Sequence, residues 1–262
     1  MISIKGEPIN VTMFPDKTSQ VWKLPKDVTK MWHALVEWRF ENEGEFMHLA
    51  QLKDLLDELG VKAYLSLPYL PYGRQDKSIG NEATFALRTF AKLLNRLNFV
   101  TIVIMDPHSR LALALIENSS ANYPENKVVE AINECKSDLI CYPDKGALDK
   151  YSKMYPFVRF IYGEKQRDPL TGNILKYELT GGCTGKSVML IDDLVDGGMT
   201  FILLAKELRA KGATRVDLFA THGIFSKGTQ VLFDAGISRI FTKDGEVKQF
   251  KINDLVSVST KI

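Results

Sequence analysis

Over residues 46–59 the apolar side chains Phe46, Leu49, Leu52, Leu55, Leu56 and Leu59 recur every three or four positions, the period of one helix face. Gly60 follows as a left-handed stop. The spacing predicts an amphipathic helix. The next segment, VKAYLSLPY, reads as a short buried strand broken at Pro68, and a second helix and strand follow at 82–97 and 99–105. Such alternation of helix and strand is the mark of a parallel sheet with helices on both faces, where ligands bind at the carboxyl ends of strands. The scheme then repeats. A helix is expected over 125–136, strand SDLICY, a helix after Gly146, strands PFVRFIY and KSVMLID, a helix over 200–211 and strand TRVDLFAT. Trp32, Trp38 and Phe40 fall at even spacing and predict period-2 burial along one strand face. A last strand is expected at 255–258, in a segment that packs back on the first half.

The pattern therefore predicts two similar α/β domains. ENSSANY, residues 117–123, interrupts the apolar pattern and sets the boundary, giving an N-terminal domain over 1–120 and a C-terminal domain over 121–262. Composition narrows the partners. Lys plus Arg total 34 against 32 for Asp plus Glu, a net charge of +2, so no basic excess points to nucleic acid. The longest apolar stretches, such as LALALI at 111–116, are far shorter than a bilayer span, and MISIKGEPIN carries no secretory pattern. Cys135, Cys141 and Cys183 form no CxxC pair, which suits a reducing compartment and the cytoplasm.

The strongest chemical signal is VMLIDDLVDGGMTF, residues 188–201. Four apolar residues end a strand, Asp192 and Asp193 follow it, Gly197 and Gly198 make a tight loop with Asp196 before them, and Met199 and Thr200 open a helix. Bare glycine amides, a helix N-terminus and a hydroxyl form an anion cradle, and the carboxylates beside it suit ribose hydroxyls or hydrated Mg²⁺. A phosphate would sit there. His108 follows an apolar strand directly, where sites collect. His33, His48 and His222 read as satisfied surface or core residues. Lys165 and Arg167 share one face of an extended segment and can converge on an anion.

These segments resemble type I phosphoribosyltransferase folds, and more specifically ribose-phosphate diphosphokinases, the phosphoribosyl pyrophosphate (PRPP) synthetases. PYLPYGRQDK at 68–77, MDPHS at 105–109 and THGIFSKG at 221–228 are similar to that family's PYxxYxRQD, DLHS and THGxFS segments, in the family's order. The fold implied is two type I phosphoribosyltransferase-like domains, each a mainly parallel sheet flanked by helices. By position, the resemblance gives the ATP polyphosphate to Arg74 and Gln75, on the N-terminal side, and Mg²⁺ to His108 and Asp144. It makes Lys165 and Arg167 the catalytic Lys-x-Arg, and assigns Asp192, Asp193, Asp196 and the backbone through Gly197, Gly198, Met199 and Thr200 to ribose and its 5-phosphate. Phe14 and Asp16 resemble the adenine-contacting segment that a neighbouring subunit supplies, which implies a homo-oligomer.

Departures sharpen the picture. The family loop reads roughly DT-small-GT, whereas Gly197 removes a hydroxyl and Met199 replaces a glycine; Thr18 stands where an acid is expected, and Ala147 replaces a glycine. The chain is also shorter than the usual synthetase, like versions encoded by bacteriophages. The implied reaction is Mg²⁺-dependent transfer of the ATP β,γ-diphosphate to the anomeric hydroxyl of ribose 5-phosphate, giving PRPP and AMP. The same transfer to the terminal ribose of ADP-ribose, a step of NAD salvage, is the alternative, since a loop without one wall hydroxyl leaves room beyond the 5-phosphate. A base-using phosphoribosyltransferase and an inactive regulatory subunit come after these. Retention of His108, Asp144, Lys165 and Arg167 argues against the last.

Overall fold

The computed structural model describes residues 1–167 and 174–248, the side chains of 165–167 and 174–177 excepted. The strand expected at 255–258 lies outside the described residues. The chain divides into two compact units, Met1–Tyr123 and the residues from Pro124 on.

The first unit runs β1 (Ile2–Ile4), β2 (Glu7–Pro8), β3 (Val11–Met13), β4 (Ser19–Val21), β5 (His33–Trp38), α1 (Glu45–Glu58), β6 (Lys62–Leu67), α2 (Ala86–Arg96), β7 (Ile102–Met105), α3 (Leu111–Leu115) and β8 (Ser119–Asn122). Its sheet has the order β2-β1-β5-β6-β7-β8, parallel from β5 to β8 and antiparallel at β1 and β2, while β3 and β4 form a separate hairpin. Each strand from β5 on steps to its next neighbour in the same direction. Right-handed crossovers then put every connecting helix on one face. The core agrees: Leu49, Leu52 and Leu56 of α1 and Leu87, Phe90 and Leu94 of α2 pack with alternate strand positions such as Val36, Leu65 and Ile104. The other alternates stay partly open, and Leu35 keeps 53% of its surface exposed. Helices on both faces, expected from the alternation, are therefore not found in this unit among the described residues.

Two further differences have local causes. Trp38 is fully buried, its Nε1 donating to Glu45 Oε2 at 2.9 Å, but Trp32 precedes β5 and is 88% exposed, so even spacing did not mean a shared buried face. Helix α2 begins at Ala86 rather than 82, because residues 79–83 close a small bridge between Ile79 and Ala83.

The second unit runs α4 (Glu125–Cys135), β9 (Leu139–Tyr142), α5 (Lys145–Tyr151), β10 (Arg159–Arg167), β11 (Ile174–Leu179), β12 (Ser187–Val195), α6 (Met199–Ala210), β13 (Arg215–Gly223), α7 (Gln230–Asp234), β14 (Ile240–Thr242) and β15 (Gly245–Val247). The sheet order is β11-β10-β9-β12-β13-β14-β15, parallel from β10 through β14. From β9 the chain leaves through α5 toward β10, and from β12 it leaves through α6 the other way toward β13. Right-handed connections departing in opposite directions put α5 and α6 on opposite faces and open a crevice between the carboxyl ends of β9 and β12. That is a topological switch point.

Candidate functional site

In the second unit the switch point collects the acids singled out in the sequence. Strand β12 does not end at the acidic pair; it pairs with β13 as far as Val195, opposite Gly223, so Asp192 and Asp193 belong to its last turns of pleat rather than to the loop after it. Asp193 is buried, and its amide donates to Asp192 Oδ1 at 2.9 Å. Across the crevice, Asp144 follows β9 and caps α5, its Oδ1 accepting from the Ala147 amide at 3.0 Å. A side chain at Gly146 would bring a Cβ to 3.2 Å of that oxygen and crowd the cap. Protein packed around Asp192 raises its pKa well above the ordinary carboxylate range, and the charges of Asp193 and Asp144 raise it further.

The loop after β12 is held from below. Gly198 has φ +79°, and a Cβ there would come within 2.8 Å of Leu232 Cδ2 on α7, so only glycine fits without displacement. Its carbonyl accepts the Ile202 amide at 2.9 Å as α6 starts at Met199, with Met199 itself exposed. Gly197 is different: a Cβ would meet only the side chain of Lys227, at 3.7 Å. The loop after β13 is fastened beside it, since the amide of Ile224 donates to the Val195 carbonyl at 2.8 Å and Phe225 turns back in the left-handed region at φ 50°. Phe225 lies against Gly223, where a Cβ would fall 2.1 Å from Cε2 of the ring. Lys227 drew no notice in the sequence because nothing in THGIFSKG says that the turn folds back onto the loop after another strand.

Lys165 and Arg167 lie on β10, with Lys165 opposite Tyr177 and Arg167 opposite Ile174; their side chains lie outside the described residues. The pairing shifts register between Gln166 and Arg167, so the regular alternation assumed for this segment is interrupted.

In the first unit Arg74 and Gln75 are exposed in the connection after β6, and His108 is exposed after β7. The structure brings these neighbours together: a Cβ on Gly73 would lie 3.9 Å from His108 Cβ. Each connection carries a residue other than glycine in the left-handed region, Tyr72 at φ 62° and Asp106 at φ 43°, a strained conformation that tends to gather at functional sites. Phe14 and Asp16 sit apart on the β3–β4 hairpin, which leans on α1 through Gln51: its Oε1 accepts the Val21 amide at 2.8 Å and its Nε2 donates to the Ser19 carbonyl at 2.9 Å. Thr18 donates to Asp16 Oδ1 from both its hydroxyl, at 2.7 Å, and its amide, at 3.0 Å, and these bonds lower the Asp16 pKa. The residue that replaces the expected acid thus shapes the turn. His48, read as a satisfied histidine, shares a hydrogen bond with Ser19 Oγ at 2.8 Å.

The acids of the second unit are of the donor type that Mg²⁺ takes. Asp144, Asp192 and Asp193 offer hard oxygen ligands whose mutual repulsion a divalent cation relieves. Among the described residues no group of three or more His, Cys, Asp or Glu side chains is placed to hold a metal ion by itself. An ion that retains waters and takes phosphate oxygens needs only one or two carboxylates from the protein.

Comparison with known proteins agrees with this layout. The phosphoribosyl synthetase-associated domain family matches residues 161–250. A ribose-phosphate pyrophosphokinase of Saccharolobus solfataricus is 26% identical over 237 residues, covering 88% of this chain and 81% of its own length. One from Pyrococcus furiosus is 28% identical over 226 residues, covering 84% and 79%. The crystal structure of phosphoribosylpyrophosphate synthetase from Mycobacterium smegmatis superposes with a TM-score of 0.76 at 22% identity, covering 96% of this chain and 88% of that one, and shows the same fold. With the motifs in order along both halves, the chain is similar over most of its length to ribose-phosphate pyrophosphokinases.

Proposed function

We propose that the protein transfers the β,γ-diphosphate of ATP to the anomeric 1-hydroxyl of ribose 5-phosphate, giving PRPP and AMP. The observation that carries this reading is the meeting of Asp144, Asp192 and Asp193 at the switch point beside the left-handed glycine loop that opens α6. A loop with bare amides at a helix start takes a phosphate, and carboxylates next to it take the ribose hydroxyls. The hydroxyl oxygen bonds to the β-phosphorus, the bond from that phosphorus to the α,β-bridging oxygen breaks, AMP departs with that oxygen, and the hydroxyl proton passes to solvent. Such transfers rest on positioning and charge rather than covalent help from the protein. His108 in the first unit and Asp144 in the second are the residues that would hold Mg²⁺, which would supply positive charge against the polyphosphate. Arg74 and Gln75 hold the ATP polyphosphate, a role that suits a forked guanidinium, while Lys165 and Arg167 offset charge on the transferring group. The units divide the work, ATP to the first and the ribose phosphate to the second. We place the enzyme in the cytoplasm, where its three buried, unpaired thiols remain reduced.

One observation favours a second acceptor. Gly197 puts no side chain of its own on the loop wall and Met199 is exposed at the helix start, so the terminal ribose of ADP-ribose, with its pyrophosphate extension, is the alternative. Incubation with ATP, Mg²⁺ and each acceptor, followed by mass identification of products, is expected to give AMP and a 1-diphosphate. ADP as the product would point to an ordinary kinase, and no turnover with either acceptor to a regulatory subunit. In the same assay Lys165→Ala and Arg167→Ala should lower kcat on the order of 10²-fold with little change in KM; unaltered rates would remove them from the mechanism. Because Phe14 and Asp16 serve a neighbour's ATP site in this reading, light scattering should find the active species to be at least a dimer.

A further inference from the structure

The loop at 196–200 lacks a side-chain donor at Gly197, and a cation from another connection lies over that position. A Cβ on Gly197 would be 3.7 Å from both Cδ and Cε of Lys227 and 4.0 Å from its Cγ. The stem of Lys227 therefore runs along the wall of the loop, with the ammonium one bond beyond a methylene in contact with it. Lys227 is exposed and, among the described residues, takes part in no ion pair or hydrogen bond. Its place is fixed by backbone: Ile224 is anchored on Val195, and the Gly228 amide, at φ 73°, donates to the Phe225 carbonyl at 2.8 Å to close the turn. An anchored turn thus presents three uncommitted N–H donors to an anion cradle.

We propose that Lys227 binds the acceptor's phosphate in the 196–200 loop and helps select the acceptor, supplying from the β13–α7 connection the donor that Gly197 does not. The proposal rests on reading that loop as the acceptor-phosphate cradle, as under Proposed function. The two positions are linked. A residue with a branched side chain at 197 would push against the lysine stem, whereas glycine lets the stem lie flat. A point charge on a flexible stem serves a phosphate without demanding one bidentate geometry, so the ligand chemistry is a phosphate group, either a 5-phosphate monoester or one end of a pyrophosphate.

Calorimetric titration of the full chain with ribose 5-phosphate, ADP-ribose and ATP tests this without relying on turnover. Lys227→Ala is expected to weaken acceptor binding on the order of 10-fold to 100-fold, the effect of one charge-assisted hydrogen bond, and to leave ATP binding as it was. Lys227→Arg should retain most of the affinity. Adding Gly197→Thr to Lys227→Ala should recover part of the loss by restoring a hydroxyl, an interaction that a double-mutant cycle resolves. The acceptor with the larger loss identifies which phosphate Lys227 meets. Wild-type affinity for both acceptors in Lys227→Ala would overturn the proposal, as would an equal loss of ATP affinity, which marks a general folding defect. A wild-type protein that binds neither acceptor would overturn the reading of the loop. One that binds an acceptor yet releases no AMP would overturn the transfer reading while leaving the role of Lys227 to the binding data.

Discussion

Gly197 and Gly198 are adjacent in the chain and opposite in what they tolerate. Gly198 combines φ +79° with a Cβ position 2.8 Å from Leu232, whereas Gly197 has ordinary backbone and only a flexible lysine stem nearby. Left-handed backbone costs an L-residue about 1–2 kcal/mol, and moving Leu232, which is buried, adds to it. Gly198→Ala should therefore lower the melting temperature by roughly 2–4 °C for each kcal/mol in a chain of this size, and Gly197→Ala should stay within about 0.5 kcal/mol of wild type. Calorimetric scans that rank the two variants equally would refute the assignment of strain to one residue. The glycine pair was legible in the sequence as a tight loop, but not which glycine bears the conformation, since that depends on Leu232 from a later helix. The same limit hid the approach of His108 to Gly73: each motif could be read alone, while their adjacency comes from β6 and β7 lying side by side.

At the level of elements, periodicity located the helices and strands and missed where pairing overrides it. Helix α1 was found to within a residue because its apolar face is regular. Strand β12 outran its apolar run because β13 continues to pair with it through Leu194 and Val195, and backbone pairing is indifferent to the carboxylates the strand carries. The start of that strand is clasped to β9. Asp138 Oδ2 accepts the Ser187 amide at 2.9 Å, and the single proton of the Ser187 hydroxyl is shared between that oxygen at 3.0 Å and the Lys136 carbonyl at 2.9 Å. The amide bond first, then the hydroxyl, lowers the Asp138 pKa. A folded pKa below the unfolded one means the unfolded chain binds more protons between the two values. The clasp's contribution is thus complete above the unfolded value, about 4, and is lost as pH falls through the folded one. Asp138→Asn should flatten the decline of stability below about pH 4, measured by urea unfolding across the acid range. A variant that keeps the wild-type slope would show that Asp138 does not contribute.

On the scale of the molecule, the two units use one alphabet of strand and helix in two ways. The sequence made them look alike, as two runs of alternating elements, and both do form mainly parallel sheets with flanking helices. Order of pairing separates them, and no local pattern encodes it. The first unit adds each strand beside the last, so that its crossovers share a face; the second reverses direction between β9 and β12 and gains its crevice from the reversal. That reversal also bears on how the protein comes to be folded. Closing the central pair of the second sheet joins Asp138 to Ser187 across 49 residues, with α5 and the β10–β11 pair in between, whereas every parallel pair of the first sheet closes over a single helix and its turns. Larger loops cost more entropy before any contact repays it, and topologies rich in distant contacts assemble more slowly. Pulse-labelled hydrogen exchange during refolding should find amides of β5, β6 and β7 protected before those of β9 and β12, and the reverse order would contradict it. During synthesis the first unit also emerges before the second, so it can close strand by strand while the ribosome is still at work, and the acids of the second unit's crevice come together only after it.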